Sequence, residues 1–98
     1  MSVTTPEVWL MTSDEHDLIR ATAIIAVHLD DDGTVAARLA DAAQETVTLV
    51  TGSADVATPP DFHRQMIRMV AELADSSGAQ LVRARRDQRG WHWVAEPL

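Results

Sequence analysis

Residues 18–29 constrain the fold more than any other part of this chain. The odd positions, Ile19, Ala21, Ala23, Ile25, Val27 and Leu29, are all apolar. The even positions, Leu18, Arg20, Thr22, Ile24, Ala26 and His28, are mixed. Successive side chains of a strand point to opposite faces, so an apolar set at period two describes a strand with one buried face. A helix starting at Ser13 or Asp14 competes, because Leu18, Thr22, Ile25 and Leu29 would then share one side. The period-two reading fits better, and the next residues favour it. Asp30-Asp31-Asp32-Gly33 is turn chemistry, since Asp tolerates the left-handed region and Gly enters it freely. Val35, Ala37 and Leu39 then alternate with Thr34, Ala36 and Arg38, which predicts a strand returning as a hairpin.

Two more strands flank this pair. Glu7-Val8-Trp9-Leu10-Met11-Thr12 is short, aromatic and β-branched, and ends in the polar run Ser13-Asp14-Glu15-His16-Asp17. Thr46-Val47-Thr48-Leu49-Val50-Thr51 follows a polar turn at 41–45 and has the composition of a strand. Together these predict a four-stranded antiparallel β-meander over residues 7–51. The last strand carries no charge, so it should be central, covered, or a seam between two copies.

One helix is expected over residues 59–75, with Thr58 as N-cap, Pro59 in the first position and Asp61 in the third. Phe62, Met66, Met69, Val70 and Leu73 form its apolar stripe, with Ile67 beside them. Arg64, Arg68, Ala71, Glu72 and Asp75 would face water. Gly78, after Ser76-Ser77, is the expected left-handed terminator.

Residues 80–96 read as a β-hairpin turning at Asp87-Gln88-Arg89-Gly90. Pairing Arg86 with Trp91, Ala84 with Trp93 and Val82 with Ala95 gathers Val82, Ala84, Trp91, Trp93 and Ala95 on one face. Arg83, Arg85, His92 and Glu96 fall on the other. A one-residue slip would set the tryptophans opposite Arg83 and Arg85, so the first register is preferred. The fold class is therefore α+β in a single domain over residues 1–98: a meander, one amphipathic helix and a C-terminal hairpin. The element order, with Arg20-Ala21-Thr22-Ala23-Ile24 entering the second strand, looks like that of several families of small β-meander domains. No function follows from that likeness.

Composition narrows the function classes. The chain has 98 residues and no cysteine, so disulfides and thiolate zinc sites are excluded. Met1 to Pro6 show neither the basic nor the apolar region of a secretory signal. The longest wholly apolar run, residues 23–27, is far below the roughly 20 residues of a membrane-spanning helix. A reducing, cytoplasmic location without membrane association is the expectation. All eight basic residues are arginine, and Ala, Asp and Val are abundant. This looks like the codon bias of a high-GC, bacterial genome. Net charge is −7, unevenly spread. Residues 1–60 hold ten acids and two arginines, whereas residues 61–98 hold five acids and six arginines.

No catalytic, cofactor or metal motif stands out. His16, His28, His63 and His92 fall on four different elements without ligand spacing. His28 lies two residues before the aspartates, as a surface histidine at a strand end would. The aspartate cluster lacks the alternating ligands and distal glutamate of a calcium loop. Ser2, Ser13, Ser53, Ser76 and Ser77 sit in terminal or loop segments without a nucleophile-elbow frame. No enzyme activity and no cofactor are expected.

The richest constellation is the hairpin itself: Arg83, Arg85, Arg86, Arg89, Trp91, His92 and Trp93. Guanidinium forks bind phosphate or carboxylate, and indoles stack on bases. A nucleic-acid contact is one reading of it. The other is a solvated arginine face over a tryptophan core, since the chain has one Phe and no Tyr to supply aromatic volume. Missing chemistry, an uncharged strand and a split charge favour a non-catalytic protein-interaction or accessory domain that self-associates as a homodimer. The nucleic-acid reading is the alternative.

Overall fold

The stretch that decides the fold is extended, as its period predicts, but the chain breaks it in two. In the structure, a computed structural model describing residues 7–41, 43–52, 57–74 and 78–98, the strands are β1 (Val8–Met11), β2 (Leu18–Arg20), β3 (Ile24–Leu29), β4 (Val35–Leu39) and β5 (Thr46–Val50). Helix α1 (Phe62–Leu73) and strands β6 (Gln80–Asp87) and β7 (Gly90–Pro97) follow. Between β2 and β3, Ala21–Ala23 form a single 3-10 turn. Small side chains let the chain bend there, a common use of so short a turn.

That bend sends β2 and β3 into different sheets. One sheet has the order β2-β1-β6-β7, and the other is the three-stranded meander β3-β4-β5. The meander therefore has three strands, not four. β1 instead pairs in parallel with β6, setting Leu10 beside Val82, two of the most deeply buried side chains. All other pairings are antiparallel. The uncharged strand β5 lies at an edge of its sheet but is covered: Ser13 N–H donates to the Thr48 carbonyl at 2.9 Å, and Leu49 and Val50 are buried.

The C-terminal hairpin has the predicted register, with Arg86 opposite Trp91 and Ala84 opposite Trp93. Asp87 and Gly90 also pair, so the connection is tighter than a four-residue loop. The β3–β4 and β6–β7 turns share the sequence Asp-x-x-Gly, and Gly33 (φ 88°) and Gly90 (φ 104°) take the left-handed position. A tight turn followed by such a residue matches the right-handed twist of the flanking strands. Gly52 is needed for a different reason: a Cβ there would run into the Asp32 carbonyl.

Helix α1 starts later than the sequence suggests. Its N-cap is Asp61, not Thr58, and Pro59 is not helical. A residue preceding proline is disfavoured in the helical region, and Pro59 precedes Pro60. The Thr58 hydroxyl donates instead to the Gly33 carbonyl at 2.9 Å, tying the helix entrance to the β3–β4 turn. Phe62 and Met66 are buried, while Met69, Val70 and Leu73 pack partly buried against the core. The predicted extension to Asp75 and the serines before Gly78 lie outside the described residues, as do Met1 to Pro6 and Ser53. Gly78 itself has the expected positive φ of 83°. The charges on α1 run against its macrodipole, with Arg64 in the first turn and Glu72 in the last. Each such placement disfavours the helix by about 0.3–1 kcal/mol.

Trp93 fixes the helix to the sheet. Its ring stacks on Phe62 with centroids 4.6 Å apart, and its Nε1–H donates to the Phe62 carbonyl at 2.8 Å. Trp93→Phe keeps an aromatic ring but loses that buried hydrogen bond and some volume. It should lower stability by about 1–3 kcal/mol in urea unfolding. The same change at the half-buried Trp91 should cost less.

The turn after β1 is organised by Thr12, a buried polar residue. Its Oγ1–H donates to Asp14 Oδ1 at 2.6 Å, and its Oγ1 accepts from Asp17 N–H at 3.2 Å. The Thr12 hydroxyl and the His16 N–H hold the Asp14 carboxyl below its ordinary value of 3.8. A depressed carboxyl contributes stability above its unfolded pKa and loses it as pH falls through the folded one. Asp14→Asn should therefore be less stable than the wild type at neutral pH. That gap, measured by urea midpoints, should close only as the pH drops below 3.8.

Candidate functional site

The hairpin residues do not form one surface. Alternation along β6 and β7 sends Val82, Ala84, Arg86, Trp91 and Trp93 to the inner face of the sheet. Trp93 is 6% exposed and belongs to the core, and the half-buried Trp91 packs against it. Arg86 is exposed, with its guanidinium 6.0 Å from the Trp91 ring centre. Arg89 sits in the turn, where its backbone N–H donates to Asp87 Oδ1 at 2.8 Å.

Arg83, Arg85 and His92 lie on the outer face, as the register predicts. Trp9 and Arg20 share it, with the Arg20 guanidinium 5.1 Å from the Trp9 ring centre. Most cations here are matched by acids. Arg20 meets Glu7 at 3.4 Å and Arg83 Nε lies 3.3 Å from Glu96 Oε1, although its N–H makes no hydrogen bond. His92 Nδ1 lies 3.7 Å from Asp87 Oδ2. Arg85 has no ionic partner among the described residues. Arginines and indoles occur on both faces, Arg86 with Trp91 inside and Arg20 with Trp9 outside, and the outer face is close to neutral.

The histidine and aspartates near the β3–β4 turn serve that turn. His28 Nε2 is 2.7 Å from Asp30 Oδ1, with both side chains largely exposed. Asp32 Oδ1 accepts the Thr34 N–H at 3.0 Å, and this contact keeps its carboxyl below the ordinary range. Among the described residues, no three His, Asp or Glu side chains converge on one point.

An apolar concavity lies elsewhere, between α1 and the free edge of β3. It is a groove of 330 Å³. Leu10 and Met66 contribute to its lining, with Ile24, Ile25 and Val27 from β3 and Ile67 and Val70 from α1. Among the described residues, β3 pairs only with β4, so its other edge is open. Two large apolar side chains stand out into solvent there: Ile25 is 53% exposed and Ile67 54%.

A register shift in β3 between Ile24 and Ala26 explains the exposure of Ile25. Strict alternation assigns Ile25 to the buried set with Val27 and Leu29. The bulge gives the core position to Ile24 and leaves Ile25 at the groove rim. The sequence carries one trace of this, the doublet Ile24-Ile25 within an otherwise alternating run. On the opposite wall, α1 begins near the β3–β4 turn, where Pro60 and Thr58 border Gly33. It runs back along the groove, which Met66, Ile67 and Val70 line together with Ala21 and residues 24–27. Helix and strand are therefore antiparallel.

Among the described residues no helix is long and apolar enough to cross a membrane. Comparison of the chain with protein families, with curated proteins and with solved structures found no match.

Proposed function

We propose that this chain is a non-catalytic protein-interaction domain that binds another polypeptide in the groove between β3 and α1. The observation that carries the reading is the coincidence of an apolar groove with an unpaired, uncharged strand edge. A strand edge offers a row of backbone donors and acceptors, and soluble proteins usually block it with charge or proline. Ile24, Ile25, Ala26 and Val27 have neither. An extended segment added to such an edge gains main-chain hydrogen bonds, while the adjacent groove takes its apolar side chains. The lack of cysteine and the arginine-only basic residues fit a cytoplasmic, bacterial setting. The charge balance on the outer face of the four-stranded sheet weighs against nucleic acid as the partner, because a phosphate-binding face needs a cationic surplus.

Ile67→Asp tests the reading. Ile67 is more than half exposed, so a carboxylate there should leave the urea midpoint nearly unchanged. At a concentration on the order of 10–100 μM, the wild-type chain should sediment as a species heavier than one chain, alone or with a polypeptide recovered from extract. Ile67→Asp should lose that species. A wild-type chain that stays single and retains no polypeptide that the variant loses would overturn the proposal.

A further inference from the structure

The C-terminal strand leaves a second open edge, on the other sheet. Among the described residues β7 pairs only with β6, along its whole length of eight residues and without a bulge. Backbone groups of an antiparallel strand point alternately to its two sides. Leu98 N–H donates to the Ala79 carbonyl at 3.1 Å. Counting back from that bond by twos, Glu96, Val94 and His92 turn their N–H and C=O groups toward β6. Trp93 and Ala95 turn theirs outward, where no backbone group of the described residues meets them. Ala95 is exposed although it lies on the inner face, so among the described residues nothing stands over it. Glu96 is the only fixed charge in the strand, and its one proline is the last residue. Such an edge is a template for another strand.

The side chains select which strand is added. A second β7 running antiparallel brings outward groups to outward groups only in registers that differ by steps of two residues. One of these sets Trp93 opposite Ala95, His92 opposite Glu96, and Val94 opposite itself. Its outer face then carries an imidazole against a carboxylate on both sides of a valine–valine contact. The neighbouring registers set His92 or Glu96 against Val94, and the next ones set His92 against His92 or Glu96 against Glu96. The exposed Arg85 lies beside His92 in the β6–β7 register and has no ionic partner among the described residues. In the favoured register its row runs on through His92 to Glu96 of the second copy. A two-fold interface needs a patch complementary to itself, and this edge is one.

We infer that two copies of this chain associate edge to edge through antiparallel β7 strands, with Val94 on the two-fold axis and His92 facing Glu96 across it. The pair uses neither α1 nor β3, so the inference goes beyond the groove reading and leaves the groove open.

Val94 gives the test, because on the axis it faces itself. Val94→Lys and Val94→Glu each set like charges directly opposite. Each alone should weaken self-association roughly tenfold in sedimentation equilibrium at low salt. Mixing the two variants should restore it, since lysine then faces glutamate. Recovery on mixing excludes a damaged fold as the cause, and urea midpoints provide a second check. The chain has no cysteine, so Val94→Cys can cross-link only between copies. Facing Cβ atoms of such a pair lie about 4.5 Å apart, close to disulfide reach. Oxidation should therefore link Val94→Cys faster than Ile25→Cys on the β3 edge. Unchanged association in the charged variants, no recovery on mixing, or faster linking through Ile25→Cys would overturn the inference. So would a wild-type chain that remains single above about 100 μM. Ile67→Asp should leave this pair intact and lose only what the groove holds. Loss of the pair in that variant would place the contact in the groove, overturning this inference and upholding the groove reading. A pair that persists while the groove captures nothing would do the reverse.

Discussion

The contact between Trp93 and Phe62 organises the molecule. It is a ring stack at 4.6 Å reinforced by a buried hydrogen bond from the indole to the Phe62 carbonyl. Phe62 is the first residue of α1, so this contact fixes where the helix begins on the sheet. The bond from Thr58 to Gly33 fixes the approach to it. With its start held at two points, α1 has one course available, back along β3 toward Ala21. The width and lining of the groove follow from that course, although none of these anchoring groups lines it.

The two sheets share a connection that explains why the groove is open. β2 ends one sheet, and after a single 3-10 turn β3 begins the edge of the other. The opposite edge of the meander is closed by the Ser13 contact to Thr48 and by burial of Leu49 and Val50. The β3 edge has no such closure among the described residues. The helix stands beside it without covering it, and the bulge at Ile25 turns a residue of the apolar set outward. One end of the meander is thus sealed and the other is left available.

Local chemistry made much of the fold legible in the sequence. The hairpin register follows from separating Val82, Ala84 and the tryptophans from Arg83 and Arg85, and a slip of one residue would have buried charge. The apolar stripe on α1 and the Asp-x-x-Gly turns were equally direct. Sheet membership was not, because period two reports which side of a strand is buried and says nothing about its neighbour. The parallel pairing of β1 with β6 joins residues some seventy positions apart, and no local pattern encodes it. The helix starts later than the Thr58-Pro59 pattern suggests, because Pro60 disfavours the helical region at Pro59. The candidate hairpin residues divide between two faces, because Trp93 lies in the core and Trp91 packs half-buried against it. The groove stayed hidden because a single bulge reassigns Ile24 and Ile25.

Net charge bears on how such a surface could work. At −7, two copies repel each other at long range, which slows their encounter. The acids responsible are concentrated in turns, at Asp14 and Asp17, at Asp30, Asp31 and Asp32, and at Asp41 and Glu45. The exposed charges of α1 are Arg64, Arg68 and Glu72, a local surplus of one positive charge. Screening reaches about 10 Å at 0.1 M salt, so the repulsion between the turn charges of two copies fades as ionic strength rises. An association through the apolar groove should therefore strengthen as salt rises.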